Sequence, residues 1–414
     1  MAGGRGSIVT ALDVGSNKVC CFIARADGAG GMRVVGIGHQ VSRGMRAGAV
    51  TDIETVETSI RAAVDAAERM AGETVAGVYA NVSSGPLASR SVAAEIDVSG
   101  HAIGDNDVRR VLGQARARID KGDGHILHAL PTGHSIDHNR GIHEPRGMYG
   151  DRLGVRMHVL AAAPGPLRNL RTVIERCHLE VDGFAASAYV AGLACLVDDE
   201  IDLGVTVIDM GAGTTSIGVF YEGTLVHADV VPVGGGHVTN DLARGLSTTT
   251  VHAERMKTLY GSAIPSPSDE REMVTVPQIG ETGTDAVQQV PRSLLVGIIQ
   301  PRIEETLELA RDRLQANGLA RAAGRRLVLT GGASQLTGAR ELAARVLDKQ
   351  VRVGRPLRTQ GLAEVTEGPA FSACAGLLHY AIRQPEAARR AAEATTSQEG
   401  NRLFRVGRWL KENF

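Results

Sequence analysis

The chain has 414 residues, 43% of them hydrophobic and 22% charged, with 45 Lys and Arg against 46 Asp and Glu. That length exceeds what one core ordinarily organises, and the near-zero charge balance argues against nucleic acid as the main partner. The five cysteines (Cys20, Cys21, Cys177, Cys195, Cys374) show no CxxC or zinc spacing and lie mostly in apolar runs, so they read as small core residues in a reducing compartment.

Residues 1–15 hold no apolar signal-peptide core, and no run reaches the roughly 18 apolar residues of a membrane span. Residues 8–24 and 33–41 read as strands around a polar turn at 27–31. Residues 54–71 follow as a helix, with Val56, Ile60, Val64 and Ala67 at helical spacing. A strand at 75–82 closes this unit. Residues 85–163 differ: a strand-like stretch at 93–98, a helix around 108–119, and a loop rich in His, Pro and Gly at 122–150. Helices at 167–177 and 186–196 lead to strands that repeat the opening pattern, then a helix at 238–246 and an insertion at 248–290. A long helix at 294–316, a strand at 326–330 and a helix at 370–383 follow. Residues 384–400 are polar and small, a linker. Both halves run hairpin, strand, helix, which predicts a duplicated α/β fold with a cleft between the copies.

Two glycine-rich turns carry the chemistry. Asp13-Val14-Gly15-Ser16-Asn17-Lys18 and Asp209-Met210-Gly211-Ala212-Gly213-Thr214-Thr215 each end a β-branched run and precede another. Glycine permits close approach, the amides and hydroxyls suit phosphate oxygens, and the carboxylates suit hydrated Mg²⁺. One such hairpin is weak evidence, because Asp-Gly turns are common. Two of them, one per half, read as a nucleotide clamp. Gly331-Gly332-Ala333-Ser334 places bare backbone at a strand-to-helix junction, where it can face a phosphate or a purine. Glu254 and Lys257 share a helix face; as a plain surface pair they would contribute only about 0.2–0.5 kcal/mol.

Smaller signals have plainer readings. His125, His128, His134, His138 and His143 crowd one region without a zinc spacing, so no metal site is expected there. Asp105 and Asp107 read as helix caps, and Arg292 and Arg302 as solvated side chains. In residues 401–414, a helical projection puts Leu403, Val406, Leu410 and Phe414 in a narrow arc between Trp409 and Phe404. Arg402, Arg405, Arg408 and Lys411 recur every third residue across the remaining face. Such a helix suits an anionic membrane interface, weakly when single and strongly through avidity in a polymer. The alternative is a helix docked on its own protein; the polar linker before it favours the membrane.

DVGSNK, DMGAGTTSIGVF, PVGGGHVTNDLA with AERMK, and LVLTGGASQLTG resemble, in order, the phosphate, adenosine and connecting motifs of the actin-like ATPases. The closer resemblance is to the FtsA family of bacterial cell-division proteins. Residues 125–159 look like that family's inserted subdomain, 366–381 like its second connecting helix, and RLFRVGRWLKENF like its membrane-targeting helix. The fold class so implied is α/β: an actin-like ATPase fold with two ribonuclease-H-like domains around a nucleotide cleft, an FtsA-type inserted subdomain and a C-terminal amphipathic helix. The implied boundaries are 1–84 and 165–200 for subdomain IA, 85–164 for IC, 201–240 and 300–364 for IIA, and 241–299 for IIB. Residues 365–383 return to IA, 384–400 are linker and 401–414 the amphipathic helix.

The resemblance implies ATP and Mg²⁺ as cofactors, with Asp13 and Asp209 orienting the metal through water. Ser16, Asn17 and Lys18, with Gly211, Gly213 and Thr214, would contact the β- and γ-phosphates. Glu254 and Lys257 would reach the ribose, Gly331, Gly332 and Ser334 would face the adenosine, and Gly15, Thr215 and Gly235 complete the cofactor set. One departure matters. Actin-like hydrolases carry a water-orienting Gln or Glu before the second hairpin, and residues 184–197 (FAASAYVAGLACLV) contain neither. ATP binding with weak or no hydrolysis is therefore expected. The implied partners are the C-terminal peptide of FtsZ, paired to Arg302; further copies of this chain; anionic lipid of the cytoplasmic membrane; and later division proteins. Such a protein would be peripheral, on the cytoplasmic face of the inner membrane at the septum. A PilM-like pilus-assembly actin homologue is the rival, and a small-molecule kinase of the superfamily is a more distant one.

Overall fold

A computed structural model describes residues 7–26, 31–119, 124–281, 287–319 and 322–383. The expected linker at 384–400 and helix at 401–414 lie outside the described residues. The chain opens with β1 (Ile8–Val14), β2 (Lys18–Ala26) and β3 (Met32–Val41), then a small hairpin of β4 (Met45–Arg46) and β5 (Ala49–Val50). Helix α1 (Ile53–Ala71) starts where the Asp52 carboxylate accepts the Thr55 N–H at 3.2 Å, a cap contributing about 1 kcal/mol. Its apolar face buries Val56, Ile60, Ala63, Val64 and Ala67 on the sheet. Next comes β6 (Gly77–Val82), parallel to β1.

The intervening unit comprises β7 (Leu87–Asp97), α2 (Asp105–Ala117), β8 (His125–Ile136), β9 (Asn139–Ile142) and β10 (Arg152–Ala162), with strand order β7-β10-β8-β9. Val108, Val111, Leu153 and Met157 form its own core. The loop expected at 122–150 is therefore mostly strand. Its misleading residues are absorbed by a bulge: Arg156 faces Gly133 and Met157 faces Pro131, which leaves Thr132 unpaired in the register. Asp107 does cap, accepting the Gly104 N–H at 3.0 Å, whereas Asp105 pairs with Arg146 at 2.7 Å.

After α3 (Pro164–Arg176) and β11 (Glu180–Ala186), α4 (Ser187–Cys195) and α5 (Asp198–Leu203) lead into the second half. That half contains β12 (Val205–Met210), β13 (Thr215–Tyr221), β14 (Thr224–Val231), α6 (Gly235–Gly245) and α7 (Thr250–Tyr260). It continues with β15 (Met273–Pro277), β16 (Val287–Pro291), α8 (Arg292–Ala316), β17 (Arg326–Thr330), α9 (Ala339–Leu347) and β18 (Gln350–Val353). Helix α10 (Ser372–Arg383) returns to the first half. The helix expected from 370 thus begins later, because Pro369–Phe371 form a separate 3₁₀ turn.

The two large sheets run β3-β2-β1-β6-β11 and β14-β13-β12-β17-β18. Counted within each half, both have the order 3-2-1-4-5, with an antiparallel meander followed by two parallel strands. One core, around Phe22, Ile60 and Ile174, runs through α4 and α10 onto Val205, Val207 and Phe220 of the second sheet; the other, around Ile208, Met210 and Leu295, lies within the second half. Between them α4 packs on β12 and β13, α10 packs on β1 and β2, and the two helices pack on each other. Arg352 of β18 closes the junction, pairing with the buried Glu200 of α5 and donating to the Cys195 carbonyl at 2.7 Å. Arg292 departs from expectation. Far from being solvated, it is held at 2.5 Å by Asp269, whose side chain is 2% exposed.

Candidate nucleotide site

The duplicated topology puts the ends of β1 and β12 in corresponding places, and both turns close the same way. The Gly15 N–H donates to the Lys18 carbonyl at 3.0 Å, and the Gly211 N–H to the Thr214 carbonyl at 2.9 Å. The two tips touch. A side chain at position 213 would overlap the Ser16 hydroxyl and lie 3.1 Å from the Ala47 nitrogen, so bare backbone is required there.

A third tip joins them. The Ala47-Gly48 turn between β4 and β5 has φ of 47° and 74°, and the Gly48 N–H donates to Ser16 Oγ at 3.0 Å. Two consecutive positive φ values make this a tight hairpin turn of the kind that matches strand twist. The sequence reading missed it; its only local signal is Ala-Gly between the two-residue strands Met45–Arg46 and Ala49–Val50.

Asp13 is buried at the end of β1, and Asp209 occupies the equivalent end of β12. Burial is the main cause that raises the Asp13 carboxyl, while the Lys18 charge and the Asn81 amide lower it. Asp209 is raised to about 7 by burial first and by the like charge of Asp13 second, with Lys18 opposing. Two buried carboxylates that feel each other's charge, with only the Lys18 ammonium opposing, lack compensating charge, so a divalent cation suits this donor set. Gly331, at φ 86°, lies against the Asp209 carboxylate where a side chain would collide with it.

The glycines of the α6 start complete the wall. The Gly235 N–H donates to the Gly211 carbonyl at 2.9 Å, and the Gly236 N–H to the Ala212 carbonyl at 2.8 Å. On α7, Glu254 and Lys257 pair at 2.7 Å, and Lys257 also donates to Thr239 Oγ1 at 2.9 Å and to the Gly235 carbonyl at 3.2 Å. The pair is thus anchored to the cleft wall through Thr239.

Some expected contacts are used otherwise. The Thr215 hydroxyl is fully buried and donates to the Val233 carbonyl at 2.8 Å, and the Ser334 hydroxyl donates to the Gly331 carbonyl at 2.7 Å. The first ties the start of β13 to the segment after β14, and the second shapes its own turn. Thr214 is buried, and Asn17 is exposed with its carbonyl accepting the Ser42 N–H at 2.9 Å. Gly332 opens the 3₁₀ turn of Gly332–Gln335. Arg302 lies on α8 outside this set, pairing with Asp241 at 2.5 Å and with Glu305. Asn81 was not anticipated. It accepts the Val14 N–H at 3.3 Å and donates to Ser187 Oγ at 3.0 Å, bracing β1 against α4. Of the histidines, His128 accepts the Ala186 N–H at 3.0 Å between Tyr189 and Tyr380, and burial pushes it down to about 3. It is a neutral core residue, and no metal-ligand cluster occurs among the described residues.

Twin 3-2-1-4-5 sheets with touching glycine hairpins over paired carboxylates define an actin-like ATPase fold. Solved structures agree on the fold: the "PilM-PilN type IV pilus biogenesis complex" matches at TM-score 0.62 and 15% identity, covering 90% of this chain and 98% of that one. MreB5 of Spiroplasma citri bound to ADP matches at TM-score 0.54 and 12% identity, covering 95% and 99%. The chain belongs to the FtsA family of cell division proteins. The family model "Cell division protein FtsA" matches residues 206–376, and "SHS2 domain inserted in FTSA" matches 85–161. Cell division protein FtsA of Rhizobium meliloti is 49% identical over 99% of this chain and 96% of its own length. That of Escherichia coli K12 is 31% identical over 98% of each.

Proposed function

We propose that this chain is an ATP-binding adaptor that self-associates and ties FtsZ filaments to the cytoplasmic face of the inner membrane at the septum. The observation that carries the reading is the convergence of the Ser16 and Gly213 tips over Asp13 and Asp209 in a member of the FtsA family. Asp13 and Asp209 would hold hydrated Mg²⁺, which when bound neutralises phosphate charge. The backbone of Gly15, Gly211, Gly213, Gly235, Gly331 and Gly332, with Ser16 and Lys18, would cradle the nucleotide, and Glu254 with Lys257 would flank its ribose. Residues 184–197, where a hydrolase would present a water-orienting Gln or Glu, contain neither, so turnover is expected to be weak. The PilM likeness rests on fold alone at 15% identity, and the basic amphipathic sequence of residues 401–414 favours the membrane adaptor over it.

Trp409 is the chain's single tryptophan, which makes the reading testable by titration with anionic vesicles, with and without Mg-ATP. A blue shift that strengthens with Mg-ATP is expected, and deletion of residues 401–414 should abolish sedimentation with vesicles. No shift in either state would sink the membrane reading.

Arg302 is proposed to meet a carboxylate of the FtsZ C-terminal peptide. Its present partners, Asp241 and Glu305, hold the guanidinium at a half-buried position on α8. Arg302→Glu is expected to weaken peptide binding about tenfold or more by fluorescence anisotropy. An unchanged affinity would remove Arg302 from the interface.

A further inference from the structure

Lys18 points from the first hairpin into the cleft, yet its ammonium is held by residues 352 and 353 positions later. Nζ donates to the Ala370 carbonyl at 2.6 Å and sits 3.4 Å from the centroid of the Phe371 ring. The ring is itself fixed: it stacks on Phe22 at 6.1 Å and meets His39 edge-on at 6.0 Å. Both supports come from the first sheet, on β2 and β3.

The other side of the same 3₁₀ turn faces the second half. The Pro369 carbonyl accepts the Gly331 N–H at 3.2 Å and the Thr330 hydroxyl at 3.4 Å, and Thr330 Oγ1 shares a 2.8 Å hydrogen bond with the hydroxyl of Ser372, the first residue of α10. The turn therefore lies between the Lys18 hairpin and the Gly331 loop, directly before the returning helix.

The choice of partners matters chemically. Lys18 feels the charges of the nearby Asp13 and Asp209, but its direct contacts are a ring face and a carbonyl oxygen, which hold the ammonium by quadrupole and dipole without neutralising it.

We propose that Phe371 and the Ala370 carbonyl form a seat that positions Lys18 for the phosphate chain and ties cleft occupancy to the start of α10. Phe371 is a positioning residue, acting through Lys18. The proposal rests on the nucleotide-binding reading above.

The test compares wild type with Phe371→Leu, which keeps an apolar side chain without the ring, and Phe371→Tyr, which keeps the ring. If the Leu variant does not fold, Phe371→Met, which also lacks the ring, takes its place. Mg-ATP affinity is expected to fall about tenfold for Leu and to stay within about twofold for Tyr, at similar melting temperatures. Adding Phe371→Leu to Lys18→Met should weaken binding no further than Lys18→Met alone. Hydrogen exchange supplies a separate readout: Mg-ATP should slow exchange in residues 372–383 of wild type and the Tyr variant, and not of the Leu variant. Equal losses for Leu and Tyr, no loss for either, or additive losses with Lys18→Met would overturn the seat. Absence of Mg-ATP binding by wild type would instead overturn the nucleotide reading on which the seat depends.

Discussion

Asp209→Asn is expected to stabilise the nucleotide-free chain while weakening Mg²⁺-dependent nucleotide binding about 10–100-fold. The Asp209 carboxyl is raised from 3.8 to about 7, chiefly by burial and then by Asp13. Between those values the folded chain binds more protons than the unfolded one. The stabilising protonation is fully present below about pH 4 and is lost as pH rises to about 7, so stability falls across that window. Each tenfold displacement of the acid equilibrium corresponds to ~1.4 kcal/mol, which puts the penalty at neutral pH on the order of a few kcal/mol. Asn keeps the shape and removes the charge. Urea midpoints near about pH 5 and about pH 8 should therefore differ clearly in wild type and much less in the variant, with calorimetry reporting the lost nucleotide. A variant no more stable than wild type at the higher pH would show that burial and the Asp13 charge do not penalise the ionised Asp209.

Gly376→Ala should be among the most destabilising single-methyl additions in the molecule. In an exposed helix, Gly→Ala is worth roughly +0.8–1 kcal/mol of stability. At Gly376 the added carbon would drive into the Val190 carbonyl oxygen and come within 3.1 Å of the Val190 Cα. Backbone cannot rotate away as a side chain can, so α4 and α10 must separate, at a cost of ~3 kcal/mol. Gly113→Ala in α2, where nothing lies within 4 Å, is the matched control and should stabilise slightly. Since α10 rests on β1 and α4 on β12, the separation also displaces one hairpin tip from the other, and nucleotide affinity should drop with stability. Equal effects of the two substitutions in urea unfolding would refute the contact.

What was legible in the sequence was local. Both glycine hairpins, the α1 stripe of Val56, Ile60, Val64 and Ala67, and the strand Arg326–Thr330 are written in short-range periodicity and turn chemistry. What was missed depends on distant partners. Asp269 decides the burial of Arg292, Phe371 is joined to Lys18 across most of the chain, and the Ala47-Gly48 turn acquires meaning only because Ser16 and Gly213 arrive beside it. The β8 error had another cause: Pro131 and Gly133 are turn signals that a bulge converts into strand. Thr215 and Ser334 show the converse, hydroxyls of the expected type that already donate, Thr215 to the Val233 carbonyl beyond β14 and Ser334 to Gly331 of its own loop.

The inserted sheet has a consequence for how this molecule can change over generations. Its first and last strand residues, Leu87 and Ala162, are register partners in one antiparallel pair, so the unit leaves and rejoins the body at a single socket. Leu160 and Ala162 root it in the first core, while Val108, Val111 and Leu153 sustain it from within. A module held in this way can vary on its outer surface without moving Asp13 or Asp209. New associates can thereby be acquired while the machinery of the clamp is inherited unaltered.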